Sequence, residues 1–94
     1  MLLEATEVIV SGTAHTAAHN TLIKLRSASA TTVTMPALAT NFRCYIKVEN
    51  ARADNKINWG GALHEDSAQT ETIIDNPYQF LKVSGSNVWR ISNA

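Results

Sequence analysis

Apolar and polar residues alternate with a period of two along most of this chain, the spacing that puts one face of a β-strand in a core and the other in water. In TLIKLRS, Ile23 and Leu25 alternate with Lys24 and Arg26; in TTVTM, Val33 and Met35 alternate with Thr32 and Thr34. The clearest run is FRCYIKVE, where Phe42, Cys44, Ile46 and Val48 interleave with Arg43, Tyr45, Lys47 and Glu49. EVIVS, KINWG, ETIID, QFLKV and VWRIS complete a set of about eight strands, separated by turn-forming clusters such as NARADN, GGALHEDS, DNP and SGSN. The segment from Ala14 to His19 has no apolar stripe and reads as a loop holding at most a single turn of helix.

The closing stretch, GSNVWRISNA, extends this pattern to the terminus. Chain ends usually fray, and a frayed end gains nothing from a Trp in water. QFLKV and VWRIS flank SGSN, a four-residue loop containing Gly, which predicts a β-hairpin. In that hairpin Trp89 and Ile91 face one way and Val88 and Arg90 the other. Trp89, Ile91 and Phe80 are therefore the expected core or subunit anchors. The pattern as a whole predicts one all-β domain over residues 1–94: about eight short antiparallel strands in a small sandwich or barrel-like arrangement, with residues 1–12 as an N-terminal arm.

Composition changes this picture in one respect. Of 94 residues 45% are apolar, but thirteen are Ala, and Leu, Ile, Val and Phe together number 22. A domain of this length buries only about two-thirds of the surface its unfolded chain exposes. So thin a supply of large aliphatic groups points to burial shared between copies, and a homotrimer is the expectation. Ten Thr, eight Asn and seven Ser against few Lys and Glu favour strands and turns over helices.

Charge narrows the partners. Eight basic residues balance eight acidic ones, with no run of three like charges, so neither nucleic acid nor an anionic membrane is an expected partner. The N-terminus carries Glu4 and Glu7 and has no basic leader region, and no apolar run reaches the roughly 18 residues of a membrane span. Synthesis in a cytoplasm and a chain that stays soluble are the expectation. The single Cys44 sits in the apolar phase of its strand and reads as a small buried hydrophobe.

TVTMPA, FRCYIKVEN, a polar loop, YQFLKV and the final GSNVWRI occur in an order that resembles bacteriophage virion β-proteins: capsid decoration (cement) proteins, head fibres and tail-fibre tips. There a Thr-Val-Thr-Leu-Pro-Ala strand precedes a Tyr-Val-Ile-Lys-Asn-like strand and a closing hairpin that carries a Trp. The matching positions are Thr32 to Ala37, Tyr45 to Asn50 and Gly85 to Ile91, within residues 31 to 93. The chain departs from the pattern in lacking an Asp-Gly before Ser86 and in placing Val88 between Asn87 and Trp89. The resemblance implies a trimer of short strands located in the virion, with the major capsid protein as partner. If Met1 is the natural start, 94 residues suit a small decoration subunit better than a whole fibre with shaft and attachment domain.

Candidate chemistry is sparse. His15 and His19, four apart, with His64 elsewhere, could be drawn as metal ligands, but no carboxylate flanks the first pair and no metal is expected. His64, Glu65 and Asp66, with Asp75, could be drawn as an acid–base set, yet no oxyanion hole or phosphate cradle accompanies them, and a solvated turn is the simpler reading. Neither an enzyme nor a cofactor is expected. Trp59, followed by Gly60 and Gly61, offers the sharper alternative: a flat ring for stacking a sugar, or else a core or interface residue sharing a strand face with Ile57. Two classes of function therefore stand: a capsid decoration subunit, and a receptor- or carbohydrate-binding fibre tip. Association with purified capsids, against retention on host glycans, separates them.

Overall fold

A computed structural model describes residues 5–60, 63, 64, 67, 68 and 71–94. The chain is all-β. The described residues contain nine strands of three to six residues: β1 (Thr6–Val10), β2 (Ala14–Thr16), β3 (Thr21–Leu25), β4 (Thr32–Thr34), β5 (Arg43–Val48), β6 (Asn55–Asn58), β9 (Glu71–Ile74), β10 (Phe80–Gly85) and β11 (Trp89–Asn93). Two segments of two residues, β7 (Leu63–His64) and β8 (Ser67–Ala68), complete the series. All eight expected strands are present. The segment read as a loop instead contributes β2.

Connectivity departs from the antiparallel expectation. The strands form a first sheet in the order β1-β3-β5-β10-β11-β7-β8 and a second in the order β2-β4-β6-β9. From β1 to β6 the chain alternates between the sheets, so successive strands within one sheet run the same way. Thus β1-β3-β5 are parallel in the first sheet and β2-β4-β6 are parallel in the second. Each pair of strands is one turn of a two-sided coil, and three turns are stacked. The last turn is closed by antiparallel neighbours, β10 on β5 and β9 on β6. The sheets are mixed because a chain that crosses over at every corner cannot make hairpins until it stops crossing.

Alternation then selects the core. Val10, Ile23, Leu25, Cys44, Ile46, Val48, Leu81, Val83 and Trp89 point inward from the first sheet, and Val33 and Ile57 from the second. With Ala17, Met35, Phe42, Trp59 and Ile74 they form one buried cluster. The two Trp residues, buried to within 1% of full enclosure, sit with ring centroids 6.0 Å apart. Phe42 meets Trp89 edge-on at 5.1 Å. Enclosing two indoles in one chain compensates for the scarcity of aliphatic residues, because each aromatic buries about 150–250 Å².

One corner of the coil is held by polar groups. The Asn55 side chain is fully buried; its Oδ1 accepts from the Thr31 N–H at 3.0 Å, and its Nδ2 donates to Asn50 Oδ1 at 2.9 Å. Thr31 Oγ1 donates to the Gly12 carbonyl at 2.9 Å, and Asn50 Nδ2 to the Ser27 carbonyl at 2.9 Å. Gly12, Ser27/Thr31 and Asn50/Asn55 lie at the same corner of successive turns, so this chain of bonds ties all three together. At the opposite corner Asn20 and Asn41 adopt positive φ, 60° and 66°, a conformation Asn tolerates better than most residues.

The closing hairpin pairs Gly85 with Trp89, leaving a three-residue loop, 86–88, rather than the four expected. A Cβ on Gly85 would lie 2.5 Å from the Ala39 carbonyl oxygen, 3.0 Å from the Trp89 ring and 3.2 Å from Phe42 Cβ. Glycine is required there by close approach. The Asn41 N–H donates to the Gly85 carbonyl at 3.0 Å and the Gly85 N–H donates to the Phe42 carbonyl at 2.8 Å, stapling the 39–42 loop onto the hairpin.

Candidate interaction surfaces

Residues singled out from the sequence fall into distinct environments. Trp59 is 1% exposed, and its Nε1 donates to Thr72 Oγ1 at 2.8 Å. A ring so enclosed has no face to offer a sugar, which corrects the glycan-platform reading; Trp59 belongs to the core. Trp89 is fully buried and Ile91 packs, half-buried, against the same cluster. Phe80 differs: its neighbours Leu81 and Gly85 define the inward phase of β10, so Phe80 lies half-buried on the outer face and is no core anchor.

The histidines do not converge among the described residues. His15 sits in β2 in the inward phase, level with Val33, while His19 is in the turn before β3, where its Nδ1 accepts from the Arg43 N–H at 3.1 Å. Among the described residues no group of three His, Cys, Asp or Glu is placed to hold a metal. The side chain of His64, and Glu65 and Asp66 altogether, lie outside the described residues, and Asp75 is exposed beyond β9. Burial pushes the Cys44 thiol up to about 12, so it stays protonated and unreactive at neutral pH. A cleft of about 220 Å³ is lined by His19, Ala39, Thr40, Asn41 and Phe42. It is smaller than the roughly 300–1,000 Å³ of ordinary small-molecule sites and presents few converging polar groups.

What the fold does present is surface and edge. In the parallel ladder between β1 and β3, the Thr6 N–H donates to the Asn20 carbonyl and the Arg26 N–H to the Val10 carbonyl, so alternate residues of β1 bond inward. The backbone groups of Glu7 and Ile9 face the other way. In β2, the Thr13 carbonyl and Ala17 N–H bond toward β4, which leaves those of Ala14 and Thr16 outward. Both edges lie on the first turn of the coil, and neither has a partner strand among the described residues. Ile9, on the first of them, is 53% exposed.

Segment 1–12 was expected as an arm. Its residues 6–10 are built into the sheet as β1, and residues 1–4 lie outside the described residues. A third feature is the turn before β10, where Tyr78 holds φ at 64° with 66% of its surface exposed. An aromatic residue in that region of backbone space is strained by about 1–3 kcal/mol. No protein family, curated protein or solved structure matches the chain.

Proposed function

We propose that this chain is a structural subunit of a bacteriophage virion, a capsid decoration protein that sits on the major capsid protein as a homotrimer and ties neighbouring capsomers together. The observation that carries the reading is the pair of strand edges, β1 and β2, on one turn of the coil, that have no partner strand among the described residues. Open edges invite pairing with another chain, and proteins that work alone usually blunt them with Pro, Lys or bulges. Neither Thr6–Val10 nor Ala14–Thr16 contains Pro or Lys. The order of motifs shared with virion β-proteins supplies the class of assembly. Sedimentation of the purified chain, alone and mixed with purified capsids, tests both parts. The expected results are a trimer at micromolar concentration and co-sedimentation with capsids; a monomer that stays in the supernatant overturns the reading.

The fibre-tip alternative keeps one specific support. With Trp59 enclosed, the most exposed aromatic among the described residues is Tyr78, held in a strained turn. Retention of the chain on host-envelope glycans, lost in Tyr78→Ala while the fold is kept, would favour the tip over the capsid.

A further inference from the structure

The outward phases of the two sheets differ in chemistry. Across the first sheet, register places Glu7, Leu22, Tyr45, Lys82 and Ser92 in one row and Ile9, Lys24, Lys47 and Phe80 in the next. Arg43, Ser84 and Arg90 form a third. Five of the eight Lys and Arg of the chain, at positions 24, 43, 47, 82 and 90, thus share one face although they are scattered over 67 sequence positions. Of these five, only Lys24 has an ion-pair partner among the described residues, Glu7 at 3.0 Å. Lys24 and Lys47 lie directly opposite each other, an arrangement that costs a sheet stability.

At the centre of the face are apolar and aromatic groups. Tyr45 and Phe80 are 6.3 Å apart and tilted by 56°, Lys47 Nζ lies 5.8 Å from the Phe80 centroid, and Leu22 adjoins Tyr45. All three are half-buried, with the cations around them. An aromatic centre in a charged rim is the layout of a protein interface. The second sheet's outward residues are Ala14, Thr32, Lys56 and Ile73, then Thr16, Thr34, Asn58 and Glu71. There the one Lys is neutralised by the one Glu, at 3.3 Å.

We infer that the outer face of the first sheet is a docking face for an acidic protein surface, with Tyr45, Phe80 and Leu22 as its apolar centre and Arg43, Lys47, Lys82 and Arg90 as its charge complement. Single-stranded nucleic acid fits less well. Its bases need open ring faces along a groove, whereas Phe80 is covered by Lys47 and the cations spread over four strands of a sheet. Complementary charge of this kind steers encounter and fixes orientation more than it adds affinity. The inference depends on the charge map and not on the partner being a capsid.

The test is an NMR titration of the ¹⁵N-labelled chain with poly-L-glutamate, and in parallel with a deoxythymidine oligonucleotide. Both are run at about 0.02 M salt and again at about 0.5 M, where screening shortens to a few ångströms. The expected result is poly-glutamate binding at low salt that is lost at high salt, with shifts concentrated at residues 22, 24, 43, 45, 47, 80, 82 and 90. Lys47→Glu/Lys82→Glu should weaken it by about tenfold or more without lowering the melting temperature. Absence of poly-glutamate binding, shifts centred on Thr16, Thr32, Thr34 and Asn58, or tighter binding of the oligonucleotide would overturn the inference; the wild-type titration decides even if the variant misfolds. Because no capsid enters this experiment, its failure is separable from failure of the virion assignment.

Discussion

The two sheets are wound by the same alternating chain and share one core, yet they end and face outward differently. The first continues past β5 into a hairpin that sets Trp89 beneath Gly85, runs on to β7 and β8, and turns cations and rings toward solvent. The second is closed by the single strand β9 and turns out Ala, Thr, Asn and one Lys–Glu pair. Even the two indoles differ: Trp59 donates to Thr72, whereas the Trp89 N–H is buried with no acceptor among the described residues. One side of this fold is therefore built at some cost in stability, in an unpaired donor, a close glycine contact and opposed lysines. The second sheet shows none of these among the described residues.

Truncating either indole gives the largest expected effect. Trp89→Ala and Trp59→Ala should each lose about 3–5 kcal/mol, comparable to the whole stability of a small domain, read by thermal or denaturant unfolding. Phenylalanine separates the two. Trp59→Phe discards a hydrogen bond, while Trp89→Phe discards a buried donor whose burial costs about 1–3 kcal/mol. The Trp89 variant should accordingly melt higher than the Trp59 variant; the opposite order would break the contrast between the sheets.

Gly85→Ala comes next. Its Cβ would meet a backbone oxygen that cannot move without releasing the 39–42 loop, so a loss of about 1–3 kcal/mol is expected. Replacing Tyr78 with Gly should act in the other direction, gaining about 1 kcal/mol by relieving a positive φ. A melting temperature that does not rise would mean that the turn is held some other way.

The smallest effect is electrostatic. A hydrogen bond from Arg26, whose Nε lies 2.6 Å from the carboxylate, holds Glu49 below the ordinary carboxylate range, reinforced by the nearby charges of Arg26, Lys24 and Lys47. A depressed folded pKa stabilises the fold at pH values above the unfolded carboxylate's pKa, and that contribution is lost as pH falls through the folded value. The pair is partly exposed, so the effect is slight. Stability measured from neutral to acidic pH should decline less steeply in Glu49→Gln than in the parent chain.

Period-two alternation made the eight large strands legible, because it reports which side chains face in. It does not report which sheet a strand joins. Thr6 pairs with Thr21 and Leu22 with Tyr45, so successive turns consume 15 and 23 residues and leave no repeat to recognise. Strand β2 escaped because Ala14-His15-Thr16 has no large apolar residue; its inward position is a histidine. Asn50 and Asn55 read as loop formers, and Thr31 as the start of a strand, although all three bind the corners together, since polarity alone does not distinguish a solvated turn from a buried one. The cationic face was hidden for a related reason. Alternate residues on strands distant in sequence never form a charge run, and only register gathers them.

Every one of these contrasts depends on the parallel register of the coil. The most direct measurement is therefore the set of cross-strand proton contacts by NMR in the unmodified chain. The account predicts parallel contacts linking Ile23 with Ile46 in the first sheet and Val33 with Ile57 in the second. Antiparallel contacts joining β3 directly to β4, as in a simple hairpin, would contradict it and disperse both the core corner and the docking face.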